Sequence, residues 1–139
     1  MKILSIAVPC YNSEAYMEKC IDSLLVGGEE VEILIVDDGS KDGTTEIADR
    51  YQEKYPTIVK AIHQENKGHG GAVNTGVETA TGLYFKVVDS DDWVNPEAYQ
   101  KILNVLAEVV RGPKTLDLLI SNYVYELSLI HISEPTRRR

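Results

Sequence analysis

Five short apolar runs, separated by helical patterns, constrain the fold of this chain more than any other feature. They lie at residues 3–8, 31–36, 57–63, 83–88 and 117–124. None alternates regularly between apolar and polar residues, which indicates strands that are covered on both faces. The segments between them carry apolar residues at helical spacing or begin with helix-start signals. The sequence therefore predicts an α/β fold: a mostly parallel, Rossmann-like sheet with helices on both faces.

Local signals place four helices between the runs. The first covers residues 17–25, where apolar residues recur at helical spacing, and the second covers residues 44–55, before a proline. The third is a short helix over residues 71–80, and the fourth starts after Asn95, the predicted N-cap. Ligands of parallel sheets bind beyond the carboxyl ends of the strands, so the residues just after each strand are site candidates.

The fourth run leads into an acidic segment, residues 87–93, with the sequence Val-Val-Asp-Ser-Asp-Asp-Trp. Side chains alternate along an extended backbone, so Asp89 and Asp91 are predicted to point one way and Ser90 the other. Two neighbouring carboxylates repel each other unless a cation lies between them. Mg²⁺ and Mn²⁺ commonly take one or two carboxylates together with phosphate oxygens. The segment predicts a metal–diphosphate site, with a solvated acidic turn as the alternative.

Three further motifs follow strands in the same way. Residues 8–14 (Val-Pro-Cys-Tyr-Asn-Ser-Glu) follow the first strand, and residues 37–40 (Asp-Asp-Gly-Ser) follow the second. Residues 66–76 (Asn-Lys-Gly-His-Gly-Gly-Ala-Val-Asn-Thr-Gly) lead towards the acid-bearing strand. With the acidic segment, in this order and at these distances, they resemble the family 2 glycosyltransferases with the GT-A fold. The resemblance covers about residues 3–125 and implies the nucleotide-sugar-binding half of that fold, incomplete at its carboxyl end.

The resemblance implies transfer of a sugar from a nucleoside-diphosphate sugar, in first place a UDP-sugar, to a hydroxyl of a glycan or lipid-linked glycan during polysaccharide or glycoconjugate synthesis. It implies Mg²⁺ or Mn²⁺ on Asp89 and Asp91, which stabilises the charge on the leaving diphosphate. It also implies inversion of the anomeric centre with a carboxylate base. In the family that base comes from a later segment, and neither Asp92 nor Asp117 is assigned the role. We therefore expect donor binding without catalysis.

The predicted nucleotide-sugar site draws on all four motifs. Its residues are Pro9, Tyr11, Glu14, Asp37, Asp38, Lys67, Gly68, Gly71, Asn74 and Asp89. The tyrosine can stack on a nucleobase, and the alternative is a surface residue. The carboxylates after the second strand can accept the uracil N–H or hold a ribose hydroxyl, and the alternative is turn chemistry. The lysine and the glycines, including Gly70, allow the backbone to come close to a diphosphate, and the alternative is a flexible loop.

Four other residues near these motifs carry weaker signals. His69 shows no partner for acid–base work and is interpreted as a loop residue, while His63, at a strand end, is interpreted as structural. Trp93 is interpreted as a packing anchor rather than a sugar platform. Val73 stands where many family members have arginine, which puts one phosphate or sugar contact in doubt.

Charge and cysteine usage exclude several classes of protein. A formal net charge of −8 argues against binding nucleic acid or an anionic membrane surface. No apolar run reaches about 18 residues, so no transmembrane helix is predicted, and the amino terminus enters a strand without a signal-peptide pattern. Cys10 and Cys20 are too few and wrongly spaced for a zinc site or a disulfide framework, and Cys20 is expected in the core. These features predict a cytoplasmic location. For the full-length protein this includes the inner face of the membrane.

The end of the chain differs in kind. Residues 127–139 resemble the translation of a transposase-type sequencing adapter, and three of the five arginines in the chain are its last three residues. This segment carries a net charge of +2, so residues 1–126 carry −10. The alternative is an ordinary basic tail. We predict that residues 1–126 are the amino-terminal part of the glycosyltransferase domain and that residues 127–139 are non-native and poorly packed.

Three other functions share this type of sheet. A dinucleotide-binding dehydrogenase would carry G-x-G-x-x-G after the first strand, where this chain has Pro9-Cys10-Tyr11. A signalling receiver domain would carry its acidic pair after the first strand rather than the second. A nucleotidyltransferase that makes sugar nucleotides would carry a basic, glycine-rich loop after the first strand. The nucleotidyltransferase and the receiver domain remain the alternatives to the glycosyltransferase.

Overall fold

Strands and helices alternate along the chain, as the apolar runs predict. The structure, a computed structural model, describes residues 2–111. In chain order the elements are β1 (Leu4–Cys10), α1 (Met17–Leu25), a short 3-10 turn (Gly28–Glu30), β2 (Val31–Asp38), α2 (Thr44–Lys54), β3 (Val59–Gln64), α3 (Gly68–Thr79), β4 (Tyr84–Val87) and α4 (Pro96–Arg111). The strand predicted at 117–124, the boundary at residue 126 and the tail lie outside the described residues and stay predictions.

The strands of the described part form one parallel sheet in the order β3-β2-β1-β4. The register aligns Cys10 of β1 with Asp37 of β2, and Asp38 with Gln64 of β3. On the other side of β1, Ala7 pairs with Val87 at the end of β4. The carboxyl ends of all four strands therefore lie at the same edge of the sheet. The predicted parallel, Rossmann-like α/β fold is confirmed.

Helices cover both faces of this sheet. Leu4, Ile6 and Val8 of β1 belong to a buried cluster that also includes residues of α1, α2 and α4. Because successive strand side chains point to opposite faces, Ala7 lies on the other face, against α3. A Cβ added to Gly76 of α3 would lie 2.7 Å from the Cβ of Ala7, so only glycine permits this approach. Each large apolar side chain buried in these layers stabilises the fold by about 1.5–3 kcal/mol.

Two elements differ from their predicted form. Helix α3 begins at Gly68, three residues before the predicted start at Gly71, so the glycine-rich segment is the first turn of a helix rather than a loop. Strand β4 is half-buried along its whole length, not buried as predicted, and it ends at Val87. None of the helices in residues 2–111 combines the length and apolar character needed to span a bilayer.

Candidate functional site

A cavity of about 350 Å³ opens at the edge where the strands end. The predicted site residues that line it are Pro9, Tyr11, Asp38, Gly68, Asp89 and Asp91. The predicted site residues outside its lining are Glu14, Asp37, Lys67, Gly71 and Asn74. A larger hollow of about 530 Å³ between α1 and α2 contains none of the predicted residues. We therefore assign the site to the cavity at the strand edge.

The loop after β1 is tied to the loop after β2. Asn12, whose φ of 51° lies in the left-handed region that asparagine tolerates, donates its backbone N–H to Ser40 Oγ at 2.9 Å. Its own Oδ1 accepts the backbone N–H of Lys41 at 2.8 Å. Glu14 accepts the backbone N–H of Gly43 at 2.6 Å, so its carboxylate braces this junction instead of facing the cavity. Tyr11, which precedes the junction, is 50% exposed at the cavity rim.

Asp37 is buried at the end of β2 and is surrounded by donors. Its Oδ2 accepts Thr45 Oγ1 at 2.6 Å and faces His63 Nδ1 at 2.8 Å, while its Oδ1 accepts the backbone N–H of Ser40 at 3.1 Å. Burial raises the pKa of this carboxyl, but the hydrogen bonds from Thr45, Ser40 and His63 outweigh burial and hold it below its usual range. Asp37 therefore holds the turn between β2 and α2, the chemistry that the sequence analysis gave as the alternative.

His63 joins three elements at the end of β3. Its Nδ1 lies 2.8 Å from Asp37 Oδ2, and its Nε2 lies 2.7 Å from Asp49 Oδ1 on α2. Because carboxylates only accept hydrogen bonds, the two contacts favour the protonated imidazole, which donates from both ring nitrogens. Burial lowers its pKa, but the contacts with Asp49 and Asp37 raise it further, so the net shift is upward. The structural interpretation of His63 agrees with these contacts.

Asp38 connects the end of β2 to the start of α3. Its Oδ1 accepts the backbone N–H of Lys67 at 2.8 Å and the amide of Gln64 at 2.9 Å. Its Oδ2 accepts the backbone N–H of Gly68 at 2.9 Å. A carboxylate has about four acceptor positions, so these bonds leave room for one donor from a ligand. Asp38 thus caps α3 from about 30 residues away and also lines the cavity.

The first turn of α3 presents open backbone at its glycines. Gly68 has a φ of +82°, and a Cβ on Gly68 or Gly70 would meet nothing within 4 Å. Gly71 is packed against its own loop, where a Cβ would lie 2.5 Å from the Cβ of Lys67. Asn74 is exposed further along the helix and outside the cavity lining. Helix N-termini attract anions because their backbone N–H groups point outwards, and the open glycines leave this one accessible.

The acids after β4 gather at one point. The backbone N–H of Asp92 donates to the carbonyl of Asp89 at 3.0 Å, so these residues form a turn and not an extended strand. The sequence analysis expected side chains that alternate along an extended backbone. That expectation is wrong, because a turn brings these carboxylates together. Asp89, Asp91 and Asp92 each place a carboxylate oxygen within 4.8 Å of the other two. The spacing of the sequence does not single out Asp92, which is only 1% exposed.

This acidic group fits a divalent cation. The three carboxylate oxygens lie within 4.8 Å of one another, which is close to the largest separation of two oxygens bound to one ion at about 2.0–2.6 Å. Carboxylate oxygens are the ligands that Mg²⁺ and Mn²⁺ prefer. Asp89 and Asp91 face the cavity, whereas Asp92 is buried behind them.

The structure contradicts the interpretation of His69 as a loop residue without a partner. It lies in the first turn of α3 and lines the cavity, with its Nε2 3.2 Å from Asp89 Oδ1. The two residues are 20 positions apart on different elements. No local pattern in the sequence identifies this pair, because it depends on how α3 sits over the sheet.

Helix α1 supports the acidic turn from the opposite face. Cys20 Sγ lies 3.5 Å from the carbonyl oxygen of Asp89, and Lys19 Nζ lies 3.5 Å from the centre of the Trp93 ring. The latter is a cation–π contact, and it agrees with Trp93 as a packing anchor. Burial, and then the nearby Asp37, raise the pKa of the Cys10 thiol to about 12, so this cysteine stays protonated.

Comparison with known proteins defines the family. A family model described as glycosyl transferase family 2 matches residues 5–110. The chain belongs to the family 2 glycosyltransferases. The match covers every part of the site, from the loop after β1 to the acidic turn. Membership of this family excludes the nucleotidyltransferase, receiver and dehydrogenase alternatives.

This family 2 chain is similar to several individual proteins, two of which were solved with a nucleotide sugar. It is 43% identical to the uncharacterized glycosyltransferase EpsJ of Bacillus subtilis over 72% of its own length and 29% of the relative's. It resembles S. aureus TarS 1-349, solved with UDP-GlcNAc, at 32% identity and a TM-score of 0.67, covering 78% of this chain and 32% of that one. For the mannosyltransferase PcManGT of Pyrobaculum calidifontis, solved with GDP-Man and Mn²⁺, the identity is 25%, the TM-score 0.66 and the coverage 75% and 32%. The chain spans about a third of the length of the curated relatives it matches.

Proposed function

We propose that this chain is the donor-binding part of a metal-dependent glycosyltransferase that uses a nucleoside-diphosphate sugar, with UDP-sugars as its first choice. The observation that carries the proposal is one cavity that combines the acidic turn, the open first turn of α3 and the exposed Tyr11. Each supplies what one part of such a donor needs: carboxylates for the cation, backbone N–H groups for phosphate and an aromatic face for the base. The TarS complex with UDP-GlcNAc supports the choice of donor.

Each side chain has a defined part in this proposal. Asp89 and Asp91 hold Mg²⁺ or Mn²⁺, which supplies neutralisation of the charge on the leaving diphosphate. Tyr11 stacks on the base, and Asp38 accepts the uracil N–H or a ribose hydroxyl with its remaining acceptor position. The backbone N–H groups that follow Gly68 in the first turn of α3, which Asp38 does not occupy, meet the diphosphate. Glu14, Asp37, Lys67, Gly71 and Asn74 act in donor binding by holding or flanking these groups, and Pro9 lines the cavity.

The acceptor reaction extends the proposal beyond the described residues. We propose inversion at the anomeric carbon, with a glycan or lipid-linked glycan as acceptor, in cytoplasmic polysaccharide or glycoconjugate synthesis. The chain spans about a third of its curated relatives, and residues 2–111 present no group that we assign as the base. We therefore expect the 139-residue chain to bind donor without turnover. A sugar-transfer assay that detects turnover, with loss of turnover in Asp91→Asn, would show that the base lies within this chain.

Calorimetric titration of UDP tests the donor site. With Mn²⁺ present we expect UDP to bind the wild-type chain at least about tenfold more tightly than in EDTA. Even a protein group that only supports a metal ligand typically changes metal affinity or activity by a factor of about 10–100. Asp91→Asn should lose the effect of Mn²⁺, since it removes a charge without changing shape. Glu46→Gln makes the same change on the exposed face of α2 and should behave like wild type. Equal UDP affinity in Mn²⁺ and EDTA would disprove the metal role.

A further inference from the structure

The charges around the cavity leave one basic side chain to meet the donor. Its lining includes the carboxylates of Asp38, Asp89 and Asp91, and, within residues 2–111, the sole basic side chain of that lining is His69. A diphosphate entering such a cavity is repelled by the carboxylates unless positive groups or N–H donors oppose them. The imidazole is therefore the side chain best placed to contact the donor's phosphates directly.

His69 is held with an N–H directed into this region. Its Nε2 lies 3.2 Å from Asp89 Oδ1, and a carboxylate only accepts, so Nε2 carries the proton in this contact. The side chain is 66% exposed, which leaves it accessible to a ligand. Its chain neighbours are Gly68 and Gly70, where even a Cβ would meet nothing within 4 Å. The backbone on either side of His69 is thus open to a ligand.

The second histidine of the site region shows the contrast. His63 has both ring nitrogens against carboxylates, at 2.8 Å from Asp37 and 2.7 Å from Asp49, so it has no N–H left for a ligand. His69 has one carboxylate contact on the cavity side and is more exposed, with 66% of its side chain accessible against 38% for His63. The same residue type therefore serves the fold in β3 and faces the ligand space in α3.

We propose that His69 binds the diphosphate of the donor: its Nε2–H exchanges Asp89 Oδ1 for a phosphate oxygen when the nucleotide enters. This inference rests on the proposed function, because it requires a nucleoside diphosphate in the cavity. It gives His69 a role in binding the leaving group, and none in binding the nucleoside. A hydrogen bond to a charged oxygen is stronger than one between neutral groups, so the loss should be measurable.

Titrations of uridine and UDP, at fixed pH and with Mn²⁺ present, test the proposal. We expect His69→Phe to weaken UDP on the order of tenfold and to leave uridine unchanged, because the variant keeps a ring but loses the N–H. The UDP affinity of His69→Gln, whose amide can donate, should lie between those of wild type and His69→Phe. His63→Gln is the matched control and should keep the wild-type ratio of UDP to uridine affinity. Circular dichroism verifies that each variant is folded.

The outcomes separate this inference from the proposed function. If wild type does not bind UDP, the proposed function fails. If wild type binds UDP and His69→Phe keeps the wild-type ratio, or weakens uridine equally, the role of His69 is wrong while the donor site stands. Titration with Mn²⁺ alone completes the test: a parallel loss of Mn²⁺ affinity in His69→Phe would mean that the residue acts through the acidic turn, and would overturn a direct phosphate contact.

Discussion

Two groups of acids stand at the carboxyl edge of the sheet, one after β2 and one after β4. Asp37 and Asp38 are each 3% exposed, and their oxygens accept hydrogen bonds from the turn before α2, from β3 and from the start of α3. Asp89 and Asp91 are half-buried, line the cavity and share a small volume with Asp92. The acids after β2 thus hold the scaffold, although Asp38 also lines the cavity, whereas the acids after β4 gather in a turn and present their charge to the cavity.

The difference comes from the elements that follow each strand. After β2 a short loop leads into α2, and the end of β3 and the start of α3 lie beside it, so backbone N–H groups and His63 surround the carboxylates. After β4 the chain makes a turn on which three acids gather. Burial with donors stabilises a charge in place, whereas crowding of like charges favours a cation.

The comparison predicts its largest effect for Asp37→Ala. This change leaves the donors of Thr45, Ser40 and His63 without their acceptor, and should lower the free energy of unfolding by about 2–4 kcal/mol. Asp91→Ala in metal-free buffer should lower the free energy of unfolding by less than Asp37→Ala does, since it also relieves repulsion on the acidic turn. Urea unfolding followed by circular dichroism measures both. Equal losses for the two variants would mean that the two acid groups are not different in kind.

An intermediate effect is expected for Asp38→Ala. The variant removes the acceptor for the N–H groups of Lys67 and Gly68, and loss of a helix cap typically costs about 1–2 kcal/mol. It should also weaken binding of uridine itself. Asp42→Ala is the matched control: Asp42 Oδ1 accepts the backbone N–H of Thr44 at 2.9 Å at the start of α2, outside the cavity. Unfolding curves and uridine titrations should show that both variants lose stability and that only Asp38→Ala loses affinity. Unchanged uridine affinity would restrict Asp38 to its scaffold role.

The smallest expected effect is a pH dependence of stability that comes from His63 and its two partners, Asp37 and Asp49. The pKa of His63 is raised above 6.5 in the folded protein, so its contacts contribute fully below that pH and are lost as the pH rises through the folded pKa. The side chain is 38% exposed and screened by water, so the loss should not exceed about 1 kcal/mol. Comparing wild type with His63→Gln at about pH 6 and about pH 8 should show that their difference in stability shrinks at the higher pH. A difference that is constant or grows with pH would exclude a charged His63.

Local patterns in the sequence predicted the four strands of residues 2–111 and the place of the acidic segment after the fourth, because apolar runs and residue spacing are properties of neighbouring residues. They failed where distant segments decide the outcome. Glycine is a poor helix former, so residues 68–70 were expected to be loop; the cap that starts the helix there comes from Asp38 in another strand. The clamp on His63 and the contact of His69 with Asp89 join residues 26 and 20 positions apart. Such pairs depend on the packing of elements and not on any one segment.

The junction between the loops after β1 and β2 fixes the loop that carries Tyr11 before any ligand binds. Asn12 is linked to both Ser40 and Lys41, and Glu14 is linked to Gly43. The loop that carries Tyr11 is therefore ordered when the protein folds, so a ligand need not supply the cost of fixing it, which is about 0.5–1.5 kcal/mol for each immobilised side chain. Asn12→Ala removes the bond to the backbone of Lys41 but keeps the bond that the Asn12 backbone donates to Ser40 Oγ, and Ser40→Ala does the reverse. Neither change alone therefore separates the two loops.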